Sequence, residues 1–213
     1  MQTRHVTEGS NATAIARAAR RAIGLLGLLA AGLAAAAGYE VTAPSEASYR
    51  VREQLAGIAF PNDAVGVTRA VAGRIAFDDD GAVRDGSTVT VDLASLASDQ
   101  GRRDNFVRGN TLQTSRHPTA TFVPTAVAGF AFPPPASGQA EVEITGDLSI
   151  RDVTRAVVWR GVATFDGDAV RLEAATTFTF AEFGLTKPRV ASVLSVADEI
   201  TLEIRLSLAR VTE

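Results

Sequence analysis

The sequence predicts an all-β domain behind an apolar N-terminal helix, and three observations carry that expectation. From Tyr49 onward apolar residues recur almost everywhere with a period of two, the spacing of strands with one buried face. The runs are punctuated by turn chemistry: DDDG at 78–81, FPPPASG at 132–138 and DGD at 166–168. One helical excursion, residues 95–118, interrupts the pattern between the third and fourth strands. About eight strands, joined mostly in order and each with one apolar face, must pack on a second sheet or close on themselves. Runs of ten or more residues favour an eight-stranded antiparallel barrel, wide enough for one small ligand, and leave a sandwich as the alternative.

In chain order, residues 1–21 read as a basic cytoplasmic leader, with Arg4, Arg17, Arg20 and Arg21 against Glu8 alone. Residues 22–38, AIGLLGLLAAGLAAAAG, carry no charge and would cover ~25 Å as a helix, just short of the ~30 Å hydrocarbon core. A basic flank before an apolar core is the pattern of a signal peptide or membrane anchor, and Ala35-Ala36-Ala37 suits a signal peptidase. Arg20-Arg21 resembles a twin-arginine signal without its polar lead-in. With positive charge kept inside, the chain from Tyr39 lies outside the cytoplasm. It is periplasmic or secreted if cut, and membrane-anchored through residues 22–38 facing outward if not. Residues 39–48 read as a flexible linker, and residues 49–211 as the barrel domain.

Tyr49, Val51 and Glu53 open the first strand. A long second strand shows Val65, Val67, Val71, Ile75 and Phe77 on one face and Ala64, Thr68 and Arg74 on the other. The 78–81 turn lacks EF-hand spacing and reads as a solvated loop. Val89, Val91 and Leu93 form the third strand. Ser95, Ser98 and Asp99 then offer caps for a helix from about Gln100 to Arg108. Gly109 and Asn110 stop it, Thr111 caps one further turn, and His117-Pro118 ends the excursion. Ala120, Phe122 and Pro124 resume alternation, followed by Val142, Ile144, Leu148 and Ile150. The strand over 156–165 is apolar on both faces and holds Trp159; the next places Val170, Leu172, Ala174, Phe178 and Phe180 on one face. Residues 183–198 are irregular, and Ile200, Leu202, Ile204, Leu206 and Leu208 close the chain.

Composition narrows the function. A hydrophobic content of 46% fits a folded chain rather than a disordered one. Of 21 basic and 24 acidic residues, four and one fall in the first 38, so the remainder has a net charge of −6 and nucleic acid is not expected as a partner. The absence of cysteine excludes disulfides, thiolate metal sites, thiol catalysis and a lipidated cysteine. No H-E-x-x-H or G-x-S-x-G occurs, so neither a metal nor a cofactor is expected. A hydrolase would rest on His117, which sits before a proline at a helix end.

Two ordered motifs resemble the YceI-like family of extracytoplasmic lipid-binding proteins over residues 49–211. The first comprises Ser95-Leu96, Arg103-Asp104, Val107-Arg108 and Pro118-Thr119 with Phe122; the second comprises Gly146, Leu148, Ser149, Ile150, Val153, Thr154 and Arg155. The chain departs from the family at Asp152, where glycine is usual, at Leu112, where an aromatic is common, and in lacking an early His-Ser. The resemblance implies a lipocalin-like barrel whose interior takes an isoprenoid lipid or quinone. Candidate lining residues are Val67, Val71, Ile75, Phe77, Val89, Val91, Phe122, Val142, Ile144, Leu148, Leu172, Ala174, Phe178, Leu202 and Ile204. Arg103 and Arg108 are head-group candidates, because guanidinium forks onto phosphate or carbonyl oxygens, although an Arg103-Asp104 pair also suits pinning the helix to the rim. The alternative is an interaction module with a closed core and no ligand.

Overall fold

The period of two is realised as a ring of antiparallel strands. The computed structural model describes residues 37–57, 59–188 and 193–211; the expected leader and the apolar run up to residue 36 lie outside these. The strands are β1 (Ala37–Leu55), β2 (Asn62–Thr68), β3 (Val71–Phe77), β4 (Thr88–Asp92), β5 (Thr119–Ala128), β6 (Ser137–Ile150), β7 (Val153–Asp166), β8 (Ala169–Thr179), β9 (Val193–Val196) and β10 (Glu199–Val211). Neighbours follow chain order from β3 to β8, β8 pairs with β10, and β1 pairs with both β10 and β3. β1, β3–β8 and β10 therefore close an eight-stranded antiparallel barrel, not a sandwich. β2 and β9 are the ring's upward extensions: β2 pairs with residues 47–53 of β1, and β9 with residues 53–55.

Residues 39–48 are not a linker. They belong to β1, which begins at Ala37, inside the stretch expected to be anchor. Their linker-like composition has a structural use. The register against β10 shifts between Thr42 and Glu46, where Pro44 has no N–H to give the ladder. Ser45 repairs the gap: its hydroxyl donates to the Thr42 carbonyl (2.6 Å) and accepts the Ser207 N–H (3.0 Å). Such repair is required because an unpaired backbone group in a buried ladder is costly.

The long second strand is two strands whose faces are out of phase. In β3 the inward residues are odd-numbered, with Ile75 and Phe77 buried; in β2 they are even-numbered, with Ala64, Gly66 and Thr68 buried. The break at Arg69-Ala70 shifts the chain by one residue, and one residue exchanges the two faces. The barrel closes at the β3 end with aromatic rings. Tyr39 and Phe77 meet edge to face (6.3 Å), Phe77 meets Phe132 (5.8 Å) and Phe130 meets Phe165 (5.3 Å). The connection between β5 and β6 thus carries two rings, Phe130 and Phe132, that plug the barrel.

The excursion between β4 and β5 forms α1 (Gly101–Phe106), which runs into a π-helical turn over Val107–Thr111. Gly109 and Asn110 do not stop it; the left-handed residue is Gln113, with φ of 53°. Neither Ser95 nor Ser98 supplies an N-terminal side-chain cap, since the capping residue is Gln100. Ser98 instead gives its N–H (2.9 Å) and its hydroxyl (2.6 Å) to Oδ1 of buried Asp104. Among the described residues no helix is long and apolar enough to cross a membrane.

Candidate functional site

Two packed clusters occupy the barrel, one at each end. The lower contains the aromatic plug together with Ile75, Val142, Trp159, Leu172 and Ala174. The upper, beneath α1, contains Val51, Leu96, Leu112, Leu148, Phe178 and Phe183. A cavity of about 900 Å³ runs between them. Its size falls in the usual range of small-molecule sites. Room for tens of water molecules walled by hydrocarbon is a poor place for water and a good one for an apolar ligand.

Ten of the expected lining residues reach this wall: Ile75, Val89, Val91, Phe122, Ile144, Leu148, Leu172, Phe178, Leu202 and Ile204. Five do not. Phe77, Val142 and Ala174 are consumed by the lower cluster, and Val71 packs against it. Val67 lies on the outer side of β2, where its N–H (2.8 Å) and carbonyl (3.0 Å) pair with Ala97. Ala174 does point inward, as alternation predicts, but into packing rather than space. Ala47 and Ala64 show the reverse: both are buried and on the wall, yet neither belongs to a packed cluster. Trp159 and Thr111 are wall residues whose Nε1 and Oγ1 are buried without a protein partner among the described residues.

Most of the polar wall residues lie at the α1 end; Ser48 and Glu203, paired across β1 and β10, lie elsewhere. Exposed Ala56, Gln100 and Arg102 belong to the wall, so the cavity opens to solvent there. Arg103 Nη2 donates to Oε1 of Glu53 (2.6 Å), with side chains only 15% and 8% exposed, and Nη1 donates to Asp99. Burial works against the charge of Arg103, but the hydrogen bonds to Asp99 and Glu53 outweigh it and raise its pKa. Tyr49 lies across Gly66, where a Cβ would sit 2.2 Å from the phenol ring, so glycine makes that placement possible. Burial, and then the nearby carboxylates of Asp104 and Glu53 against the opposing pull of Arg103, push its phenol up to about 12.

The two expected head-group residues part company. Arg103 reaches the wall, but its guanidinium is taken by two carboxylates and works mainly to hold α1 on β1. Arg108 is not on the wall; it donates to the Leu96 carbonyl (2.7 Å) and to Asn105 (3.2 Å), clamping the loop before α1. At the polar mouth, Tyr49, Arg102 and buried Glu53 are among the site residues that sequence reasoning missed. Arg102 is a wall cation with no carboxylate partner among the described residues, and nothing in its spacing sets it apart from Arg103. Glu53 alternates correctly with Val51, yet a carboxylate on an inward face reads as a strand-end exception until its partner is known. His117 lies off the wall, 3.7 Å from the exposed Asp152. Among the described residues no cluster of metal-ligating side chains forms.

The family model of the YceI-like domain matches residues 40–208. The chain belongs to the YceI-like family. Similar proteins include the UPF0312 protein of Azotobacter vinelandii, 31% identical over 75% of this chain and 82% of its own. Protein YceI of Escherichia coli O157:H7 is 27% identical over 66% and 69%. Two Pseudomonas putida relatives are matched over 60% of their length. Among solved structures, a polyisoprenoid binding domain from Saccharophagus degradans implicated in plant cell wall breakdown superposes with a TM-score of 0.62, covering 80% of this chain and 97% of its own at 14% identity. Burkholderia cenocepacia BcnA superposes with a TM-score of 0.57, covering 78% and 98% at 22% identity. At such identities these likenesses support the barrel fold. In this YceI-like chain Arg103 joins α1 to Glu53 of β1 while Asp104 holds Ser98, and the match begins within β1, nine residues before the sequence pattern placed the domain.

Proposed function

We propose that this YceI-like protein is an extracytoplasmic carrier or store for an isoprenoid or other long-chain amphiphilic lipid. The tail occupies the barrel interior and the polar end sits at the α1 mouth beside Arg102 and Tyr49. The observation that carries the reading is the cavity of about 900 Å³ with its branched and aromatic wall. Each methylene taken out of water by such a wall contributes ~0.8 kcal/mol, so a long tail binds strongly without any specific polar contact. A closed-core interaction module has no use for the space. The basic flank before residues 22–38 supports export, and the polyisoprenoid named for the Saccharophagus degradans domain supports the ligand class.

The test is mass spectrometry of an organic extract from protein purified out of its native host, with Ala47→Trp alongside. Ala47 is a buried wall residue flanked by Thr68 on β2 and Ile204 on β10. Tryptophan there fills the path of the tail. The parent yields a lipid with a long apolar chain; the variant keeps its far-UV spectrum and loses most of that lipid. If position 47 were packed, the change would instead cost about 1–3 kcal/mol through strain. A parent without lipid, or a variant carrying as much as the parent, overturns the proposal.

A further inference from the structure

The rim of the mouth carries two large apolar side chains that the barrel does not use. Phe60, between β1 and β2, is 78% exposed, and Leu194, on β9, is 68% exposed. They stand at one end of the molecule: Glu53 of β1 pairs with Asn62 on one side and Val196 on the other, and Leu55 pairs with Val193. Leu55 and Val193 belong to the cavity wall, whereas Phe60 and Leu194 lie just outside it. The apolar surface of the interior is thus continued onto the outside, at Leu194 next to Val193 and at Phe60 in the loop that follows Leu55 and Ala56.

Charge at this end is unevenly spent. Asp63 is engaged by Arg50 and Arg52, Glu53 and Asp99 by Arg103, and Asp198 by Lys187. Arg102, exposed on the wall, is left as a cation without a carboxylate among the described residues. Exposed apolar side chains and an unneutralised cation around the same mouth match a surface in which phosphates overlie hydrocarbon.

We propose that the mouth docks on the surface of a phospholipid bilayer, with Phe60 and Leu194 entering the acyl boundary and Arg102 meeting lipid phosphates. The inference rests on the lipid-carrier reading, because it gives the tail a path from bilayer to barrel that never crosses water. It concerns Phe60 and Leu194, which hold no ligand in the barrel. The experiment is co-sedimentation of the purified protein with vesicles of phosphatidylethanolamine and phosphatidylglycerol, and with vesicles of phosphatidylcholine. The Phe60→Glu/Leu194→Glu double variant is compared with the parent, and extractable lipid and light-scattering mass are measured on both.

The parent sediments, more strongly with the anionic vesicles. The double variant partitions about tenfold more weakly or worse, since two apolar side chains no longer leave water, and still carries its lipid. Equal sedimentation of parent and variant overturns docking, as does a lipid-loaded parent that stays in the supernatant. A parent that is dimeric where the variant is monomeric also overturns it, by assigning the patch to a second copy of the chain. If neither protein carries lipid but the variant alone loses the vesicles, docking stands and the carrier reading fails.

Discussion

Tyr49 shows how much a single residue reports on the mouth. Its phenol is pushed up to about 12, first by burial and then by the carboxylates around Arg103. Tyr39, the other tyrosine of the sequence, is also raised, chiefly by burial. Because the folded state holds the Tyr49 proton more tightly than the unfolded chain does, the associated stability is fully present below pH ~10, the ordinary tyrosine value. It is lost as the pH rises through about 12. Ultraviolet absorbance during alkaline titration therefore shows less phenolate at pH ~10 than two free tyrosines, each half ionised there, would give. Tyr49→Phe removes the step near 12. Ionisation of both phenols near the ordinary value would place Tyr49 in water rather than across Gly66.

At the scale of elements, α1 is held by a charged junction rather than by its own length, since six residues make too short a helix to persist alone. Ser98 links the two halves of that junction: its hydroxyl donates to Asp104 and accepts Arg103 Nη1 at 3.3 Å. Arg103→Ala strands the buried Glu53 carboxylate and costs about 3 kcal/mol or more in denaturant unfolding. Asp104→Ala costs about 1.5–3 kcal/mol through lost charge-assisted hydrogen bonds. The double variant costs less than the sum by about 0.5–3 kcal/mol, because the pair shares Ser98. Additive losses would show two independent anchors. The motif made this junction legible as Arg103-Asp104, but not Glu53, which lies fifty positions upstream in another strand. Alternation read the inward faces of β4, β6, β8 and β10 correctly because those strands run without interruption. It failed where the phase changes, at Arg69-Ala70 between β2 and β3, and where Pro44 and Ser45 give a bulged strand the composition of a linker. It also cannot separate inward into packing from inward into space, the difference between Ala174 and Ala47.

For the whole molecule, residues 1–36 and the export they imply are tested by topology. On the proposed export, a reporter active only outside the cytoplasm, fused after Glu213, should be active, because a basic flank such as Arg17, Arg20 and Arg21 favours the inside. An active cytoplasmic reporter in its place would remove the extracytoplasmic part of the proposed function. Ring closure depends on the ends of the domain meeting, with Gly38 opposite Val211 and Arg50 opposite Thr201. Loop-closure entropy for such distant partners must be overcome before their ladder forms, so β1 and β10 join late in folding. During synthesis β1 leaves the ribosome first and its partner last, and until the final 13-residue strand is available the barrel has an open seam. A nascent chain of this topology cannot close its ring until β10 has been made. That is the condition a channel for extended polypeptides requires, and under the proposed export the seam would zip shut on the far side.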